Sequence, residues 1–244
     1  MNVLNCNPDY ISEQEYLEGE KISDIKHQYF DGEIFAMSGA SINHQRLTLN
    51  ISSELRHHLK GTPCEAFSSD IKVRADKGKK YFYPDVLVSC DNGDGNSHFV
   101  EAPRIIIEVL SNSTRKFDKN LKRQIYQNIP SLEEYVLIEQ DRVEIEVSRK
   151  STNWQPIFYF IDDEITFESI GLTLPVLEIY QRVENDEMRD FLKTIEINQI
   201  AKINNGSHQM PIPSIIFMFA AINIFDNSEN FASTVYVLNQ NTLF

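Results

Sequence analysis

Two short apolar segments, each with one acidic residue, constrain the fold more than any other feature of the sequence. They are residues 83–90, which contain Asp85, and residues 105–111, which contain Glu108. Both are rich in β-branched residues and are bounded by turn residues, so each predicts a buried strand. A carboxylate inside such a strand is costly unless a positive group meets it. Two acids on consecutive strands therefore indicate a shared divalent cation such as Mg²⁺, which prefers oxygen ligands.

Side-chain alternation along the two strands predicts where the acids point. Glu108 shares a face of its strand with Leu110, and Asp85 shares a face of its strand with Leu87. If the strands are neighbours, both acids point to a common spot at one end of the sheet, where the carbonyl of Val109 would be a third oxygen ligand. Mg²⁺ at this spot, or Mn²⁺ as the alternative ion, would lower the pKa of a bound water and stabilise charge on a phosphoryl group.

The distribution of charge indicates the kind of substrate that such a site would receive. The net charge of −13 at pH 7 argues against nonspecific coating of nucleic acid, because such binding needs Lys and Arg at the phosphates. Two basic clusters nevertheless flank the acidic strands, each with five cations and a single acid: Lys72, Arg74, Lys77, Lys79 and Lys80, then Arg115, Lys116, Lys119, Lys122 and Arg123. Either cluster alone is typical of a solvated surface. Their joint placement around one predicted metal site favours a polyanionic substrate.

Length and composition are those of an ordinary globular protein. The 244 residues suffice for one full core, and 41% are hydrophobic and 24% charged. The three cysteines, Cys6, Cys64 and Cys90, fit neither a disulfide framework nor a zinc site, which predicts a reducing, cytoplasmic location. The first ten residues show no secretory signal, and the apolar run at 212–225 is too short and too interrupted to span a membrane, so no membrane partner is predicted.

The order of predicted elements indicates a mixed α/β fold. Ser12 and Glu15 form a capping box for a short helix, and residues 31–32 join a β-hairpin. Ser41 caps a helix that runs to about residue 60, with a buried stripe formed by Ile42, Leu47, Ile51, Leu55 and Leu59. Strands are predicted at 64–67, 70–74, 81–90, 105–110, 134–139, 142–147 and 156–161 and within 167–179, with a turn at 91–97 and a basic helix at 116–127. This order predicts a mixed sheet flanked by helices, with additional strands at both ends of the chain.

Residues around the two acids resemble the PD-(D/E)XK nuclease signature. The matching residues are Pro84-Asp85 and, after a gap of 22 residues from Asp85, Glu108-Val109-Leu110. The resemblance implies a restriction-endonuclease-like fold in which the acids bind a metal and a lysine assists catalysis. This chain departs from the signature at Leu110, where the lysine is expected. In variants of the fold the lysine lies on the following helix, where this chain has Lys122, one turn before Tyr126.

A closer resemblance, over about residues 10–183, is to the Uma-two family of restriction endonucleases. The matching positions are 29–33, His44, 83–86, 102–103, 107–111, Asp118, Lys122, Tyr126 and 134–135. The resemblance implies a nuclease fold and metal-dependent cleavage of DNA, but no particular target sequence. On this basis residues 1–183 are predicted to form the nuclease domain. Residues 184–244 lie outside the resemblance and are predicted to be a loosely ordered C-terminal extension.

The combined hypothesis is a metal-dependent endonuclease in which Asp85, Glu108 and the Val109 carbonyl hold the metal. Lys122 would supply positive charge near the scissile phosphate or the attacking water. Supporting roles are assigned to Glu33, His44 and Tyr126, and DNA contacts to Lys72, Arg74, Arg115, Lys116, Lys119 and Arg123. The alternatives stay open: Lys122 is equally well a solvated helix lysine, Glu33 a turn residue, His44 a local polar contact and Tyr126 a packing residue.

A second interpretation is a non-catalytic DNA-binding or structural member of the same fold. It rests on Leu110 at the lysine position and on the negative net charge. The first interpretation also predicts a homodimer, because cutting both strands of a duplex usually needs two active sites and homo-oligomers are most often two-fold dimers.

Overall fold

Residues 10–90 and 98–204 are described by a computed structural model of the chain. The chain divides into two compact units, Met1–Asn185 and Asp186–Phe244. The turn predicted at 91–97 and the apolar run at 212–225 lie outside the described residues. In the described part of the chain, no helix is long and apolar enough to cross a bilayer.

The first elements form as their local signals predict: α1 (Glu13–Glu20), β1 (His27–Phe30), β2 (Glu33–Ala36) and α2 (Ile42–His58). Ser12 caps α1, and both reciprocal hydrogen bonds of its capping box with Glu15 are present. The turn between β1 and β2 has φ values of 45° at Asp31 and 98° at Gly32. Positive φ at both positions is the primed turn geometry that matches the twist of a hairpin. Ser41 caps α2, as predicted.

The buried stripe of α2 is one residue shorter than predicted. Leu47, Ile51, Leu55 and Leu59 are buried, whereas Ile42 is 71% exposed. Ile42 is the first residue of the helix, where the apolar face has not yet reached the sheet, so its assignment to the core is wrong.

The next strands are divided between two sheets: β3 (Glu65–Ser68), β4 (Lys72–Ala75), β5 (Lys80–Phe82), β6 (Val86–Ser89), β7 (Phe99–Val100) and β8 (Pro103–Leu110). Within the described residues, the first sheet has the order β2-β1-β5-β4-β7. The single strand predicted at 81–90 is wrong, because β5 belongs to this sheet and β6 to the other. Pro84 lies at the break, and a proline has no N–H to donate to a strand ladder. The break places Asp85 where the chain passes from one sheet to the other.

A helical crossover and three further strands complete the second sheet: α3 (Arg115–Phe117), α4 (Arg123–Gln127), β9 (Glu134–Glu139), β10 (Ile145–Arg149) and β11 (Pro156–Tyr159). A π-helical segment, Asp118–Lys122, joins α3 to α4. The order of described strands is β11-β10-β9-β8-β6-β3. β8 and β9 are parallel, which requires a crossover of this kind, and β6 and β8 are antiparallel.

The last described elements are β12 (Glu164–Phe167), β13 (Leu172–Pro175), α5 (Val176–Ile179) and α6 (Asp186–Asn204). β12 and β13 form an antiparallel hairpin. The chain therefore has the predicted fold class, a mixed α/β sheet with flanking helices and additional strands before and after it.

One hydrophobic core is formed by strands of both sheets together with the crossover helix and the residues that follow it. Its buried members are Val73, Ala75, Phe82, Leu87, Ile106, Leu110, Tyr126, Ile129, Leu132, Tyr135 and Leu137. Ile106 and Leu110 flank Glu108 on one face of β8, as the alternation predicts. Glu108 is therefore an acid placed within an apolar layer.

The cysteines are a third point on which the sequence-based prediction is wrong. Cys64 and Cys90 form a disulfide bond. Glu65 is paired with Ser89 in the antiparallel β3–β6 ladder, so one step further along the ladder brings Cys64 beside Cys90. This long-range pairing is not visible in the spacing of the cysteines, and the argument from cysteine usage to a reducing compartment loses its basis.

Candidate active site

The two predicted acids meet where β6 begins and β8 approaches its end. Val86 of β6 lies opposite Ile107 of β8, so the next pair outward is Asp85 and Glu108. The amide of Val109 donates a hydrogen bond of 2.7 Å to Oδ2 of Asp85. This hydrogen bond connects the segment just before β6 with β8, beyond the end of their ladder. The structure thus brings together the two acids that the sequence analysis selected.

Glu108 is held by two side chains from the crossover helix. Its Oε1 accepts hydrogen bonds from Nζ of Lys122 at 3.0 Å and from the hydroxyl of Tyr126 at 3.1 Å. Nζ of Lys122 also lies 2.9 Å from Oδ1 of Asp118. Glu108, Asp118 and Lys122 are each 3% exposed or less. The lysine expected near the acids is therefore present in space, and it is not a solvated helix residue.

The local backbone of the crossover helix explains how these side chains reach Glu108. Asp118, Lys122 and Tyr126 are spaced four residues apart, which places successive members on one side of a helix. The π-helical segment that contains Asp118 and Lys122 widens one turn, and segments of this kind occur often at functional sites. The hydroxyl of Tyr135 on β9 also donates to the carbonyl of Asp118 at 3.0 Å. The helix is thus fastened to the sheet at the level of Glu108.

Burial and charge determine the ionisation of this cluster. Burial raises the pKa of Glu108 to about 8, against the opposing effect of Lys122, and the charges of Asp118 and Asp85 add to the rise. Burial lowers the pKa of Lys122, but Glu108 and Asp118 outweigh it, so the net shift is upward and the amine stays charged. Burial raises the pKa of Tyr126 well above its ordinary value, so its hydroxyl remains a donor. The cluster therefore contains more carboxyl groups than the single positive charge of Lys122 can neutralise.

Each of the two acids keeps one oxygen for a further ligand. The contacts of Asp85 with Val109 and His44 end on Oδ2, and both bonds to Glu108 end on Oε1. Within the described residues, no hydrogen bond ends on Oδ1 of Asp85 or Oε2 of Glu108. The Val109 carbonyl faces the same side of β8 as its amide, because both groups of one residue face the same neighbour in an antiparallel ladder. These three oxygens suit a hard divalent cation.

The described residues contain no group of three or more His, Cys, Asp or Glu side chains arranged to hold a metal ion. Mg²⁺ is commonly bound through one or two carboxylates, with waters and substrate oxygens as its other ligands. Two acids and one backbone carbonyl are therefore a sufficient protein contribution for Mg²⁺, although not for a structural zinc site.

His44 reaches the site from the first turn of α2. Its Nε2 lies 3.3 Å from Oδ2 of Asp85, and its Nδ1 is buried with no hydrogen-bond partner among the residues that the structure describes. The start of α2 is fixed by Ser41, whose hydroxyl donates to Oε1 of Gln140 at 2.6 Å. Gln140 in turn donates to the carbonyl of Leu110 at 2.8 Å. This chain of contacts sets the position of His44 relative to β8.

The structure places the other two residues predicted to support the site, Tyr126 and Glu33, in different parts of the fold. Tyr126 contacts Glu108, as described above. Glu33 lies exposed on β2, at the edge of the first sheet, and is not part of the cluster around Glu108. Two residues to which the sequence analysis gave no role, Asp118 and Gln140, contribute directly to the arrangement. Asp118 could have been found from the sequence, because it lies four residues before Lys122. No local pattern identifies Gln140.

The basic residues predicted to contact DNA are mostly engaged within the protein. Arg74 pairs with Glu13 and Glu101, each at 2.7 Å. Lys72 is buried, and its amine donates to the hydroxyl of Tyr83 at 3.1 Å. Burial lowers the pKa of Lys72.

The basic residues of the crossover helix are also mostly paired within the protein. Arg115 pairs with Glu139 at 2.8 Å, Lys119 pairs with the same acid at 3.0 Å, and Arg123 pairs with Glu146. Lys116 is exposed, and no ion pair is recorded for it among the described residues. The assignment of these residues to DNA contact stays a prediction.

Comparison with known proteins gives a consistent result. A family model described as "Uma2: Putative restriction endonuclease" matches residues 13–177. The chain is 37% identical over 174 residues to "Uncharacterized protein slr1290" of Synechocystis sp., which covers 70% of this chain and 92% of that protein. It is 41% identical over 129 residues to "Uncharacterized protein sll1609" of the same organism, which covers 52% of this chain and 73% of that protein.

The fold also matches a solved structure. The crystal structure of "a putative nuclease belonging to DUF820" from Anabaena variabilis superposes with a TM-score of 0.57 at 19% identity, over 71% of this chain and 99% of that one. At this identity the likeness concerns the fold alone. The family match extends over more than half of the sequence, and this chain therefore belongs to the Uma2 family.

Proposed function

We propose that this chain is a divalent-metal-dependent endonuclease that hydrolyses phosphodiester bonds of DNA. The observation that carries the proposal is the meeting of Asp85 and Glu108 at the β6–β8 junction, with Lys122 bonded to Glu108. Phosphodiester hydrolysis builds negative charge on the phosphate, and convergent acids that hold a metal beside a lysine are suited to stabilise it. The Uma2 family and the nuclease-like fold support the same class of reaction.

Asp85, Glu108 and the carbonyl of Val109 are the groups proposed to hold Mg²⁺, with Mn²⁺ as the alternative ion. When bound, the ion would supply a water of lowered pKa and positive charge for the phosphoryl group. The charge balance favours a cation, because Asp118 and Asp85 both act on Glu108 and Lys122 is the lysine that opposes them.

The protein's own side chains orient Glu108 and balance its charge. Lys122 and Tyr126 both bond to Oε1, which fixes the carboxylate while Oε2 remains available. Leu110, at the motif's lysine position, is fully buried in the apolar core and takes no part in this task. We assign the role of the missing lysine to Lys122, and we assign to His44 the positioning of Asp85 through its contact with Oδ2.

Cleavage of a random DNA pool tests the proposal. Wild-type protein should cut the pool with Mg²⁺ or Mn²⁺ and not with EDTA. Asp85→Ala should reduce the rate about 100-fold or more, which is the scale of losing one electrostatic catalytic element. Asp24→Ala removes an exposed acid and should cut like the wild type. Intact DNA after incubation of the folded wild-type protein with both metals, over a range of low salt concentrations, would contradict the proposal.

A second candidate function is binding of nucleic acid without cleavage. It is favoured by Leu110 at the lysine position and by the contacts of the Lys122 amine with two carboxylates of the protein itself, Glu108 and Asp118. The same assay separates the candidates, because this function predicts retained DNA with no metal-dependent cleavage.

A homodimer is part of the endonuclease proposal, because two active sites are needed to cut both strands of a duplex at one position. Light scattering at working concentration should give twice the mass of the chain. A monomer that still makes double-strand breaks would contradict this part of the proposal.

A further inference from the structure

The Cys64–Cys90 disulfide is a feature to which the proposed function gives no role. Cys64 lies just before β3 and Cys90 just after β6, so the bond joins these two strands at one end of their ladder. Both cysteines are partly exposed, which leaves the bond within reach of a thiol from solution. Exposed disulfides are reduced more readily than buried ones, and they include the regulatory ones.

Strand β3 is weakly held apart from this bond. It is the last strand in the order of the second sheet, as far as the structure describes it, and its neighbour there is β6. Ala66 and Phe67 are half-buried and Glu65 and Ser68 are exposed, whereas all four residues of β6 are buried. Segments with little buried apolar surface open most easily. The cross-link to β6 is therefore important for keeping β3 in place.

The other end of the same ladder lies at the candidate site. Ser68, the last residue of β3, pairs with Val86, which directly follows Asp85. The amide of Ser69 donates to the carbonyl of Asp85 at 3.1 Å. The side chain of Asp85 accepts from the amide of Val109 on β8. The backbone of Asp85 is thus positioned from β3 and its side chain from β8, so opening of β3 removes one of the two supports.

We propose that the Cys64–Cys90 disulfide is a redox switch that controls the order of β3 and, through it, the position of Asp85. A dithiol from solution supplies two electrons and two protons. One of its thiolates attacks a sulfur of the bond, the bond between Cys64 and Cys90 breaks, both become thiols, and the dithiol closes to its own disulfide.

The oxidised form has the ordered site and the reduced form the loosened one. After reduction, two positions that are 26 residues apart in sequence are no longer joined, so β3 opens more often. The effect on cleavage rests on the proposed function, whereas the effect on β3 does not.

Titration of thiols in denaturant checks the bond itself. The sequence contains three cysteines, so fully reduced protein should show three thiols and oxidised protein two fewer. Equal thiol counts in the two samples would overturn the inference.

Hydrogen exchange followed by mass spectrometry measures the release of β3. Oxidised protein is compared with protein that has been reduced with dithiothreitol and freed of it under nitrogen. In the first minutes of labelling, when local opening dominates, reduction should speed exchange in residues 65–69 about tenfold or more. Residues 134–139, on β9 inside the second sheet, are the internal control and should stay protected. Equal acceleration of both segments would assign the bond to overall stability, and unchanged exchange in residues 65–69 would show that β3 does not depend on it; either result would overturn the inference.

The rate of DNA cleavage with Mg²⁺ measures the effect on the site. Reduction should lower the rate about tenfold or more, because small displacements of a catalytic group are costly, and reoxidation should restore it. The double variant Cys64→Ser with Cys90→Ser should have the low rate with or without the dithiol, whereas Cys6→Ser should respond like the wild type. Equal rates for oxidised and reduced wild type would overturn the inference and leave the nuclease proposal standing.

The two proposals can fail separately. If neither form cuts DNA, the nuclease proposal fails, and the switch is then judged by hydrogen exchange together with the affinity for Mn²⁺ in the presence of a DNA duplex. Faster exchange in residues 65–69 with weaker Mn²⁺ binding after reduction would support the switch. If either quantity is the same in both forms, the switch is overturned as well.

Discussion

Replacement of Lys122 by methionine removes the amine that two buried acids share. Methionine has similar length and no charge, so the packing of the site changes little while the neutralising group is lost. Glu108 and Asp118, at 3.0 Å and 2.9 Å from Nζ, would be left with no lysine between them. Breaking a buried ion pair by removing one partner costs about 3–5 kcal/mol, and here two acids lose their partner together.

This cost is a large part of the total free energy of unfolding, because a domain is stable by about 5–15 kcal/mol. For a domain of this size it corresponds to a fall in melting temperature of about 6–20 °C. The assay is urea and thermal unfolding followed by circular dichroism in EDTA, so that no metal contributes. Glu108→Gln should cost less, about 1.5 kcal/mol or below, because the amide oxygen still accepts from Lys122 and Tyr126 while one acid disappears.

Lys119→Met is the matched control for this prediction. Lys119 lies on the same helix and also pairs with a buried acid, Glu139. That acid keeps Arg115 and Arg142 as partners, so the loss should be below about 1 kcal/mol. The double variant Lys122→Met with Glu108→Gln should cost less than the sum of the two single changes, with a coupling of about 0.5–3 kcal/mol. If Lys122→Met is as stable as the wild type, the reasoning is refuted, because the amine would then neutralise neither Glu108 nor Asp118.

Three further predictions follow from the contacts of the site. Tyr126→Phe removes one of the two hydrogen bonds to Oε1 of Glu108 and should lower the free energy of unfolding by about 1–3 kcal/mol in urea titration; an unchanged value would mean that the hydroxyl bond is not formed in solution. Gln140→Leu cuts the link from Ser41 to the carbonyl of Leu110 and should lower the same free energy by about 1–3 kcal/mol; no loss would show that α2 is positioned by packing alone. A chain that ends after Asn185 should match the full chain in melting temperature and cleavage rate, as judged by circular dichroism and the DNA assay, and a lower value of either would place residues beyond 185 in the functional domain.

The choice of Asn185 as an end point differs from the boundary predicted after residue 183. The amide group of Asn43 donates to the carbonyl of Glu184 at 2.7 Å, and Arg46 pairs with its carboxylate at 2.8 Å. A chain that stops at residue 183 loses both contacts with α2. The functional independence of the residues that follow stays a prediction.

Local signals in the sequence were sufficient for the elements whose partners are close along the chain. The capping box of Ser12 and Glu15 and the turn at Asp31 and Gly32 depend on contacts within a few residues, and both are present. The neighbourhood of Asp85 and Glu108 was predictable for a related reason, because alternation fixes the face of each acid once the two strands are taken as neighbours.

The partners of the basic residues were not predictable in this way. Arg115 meets Glu139 across 24 residues, and Arg74 meets Glu13 across 61. Nothing in the linear pattern of charges indicates which acid faces which cation, since the pairing depends on how the two sheets and the helices pack. The sequence alone therefore predicts that the basic clusters are open surface, although most of their members are paired within the protein.

Binding of Mn²⁺, followed by electron paramagnetic resonance, tests the central claim most directly, because it reports on the metal site without requiring cleavage. The wild-type chain with a DNA duplex should bind Mn²⁺ at a site from which Mg²⁺ displaces it, and Asp85→Asn and Glu108→Gln should each abolish that site. Asp24→Asn should leave it unchanged. If the folded wild-type chain binds no Mn²⁺ with DNA present, or if both site variants bind it as the wild type does, Asp85 and Glu108 do not form a metal centre.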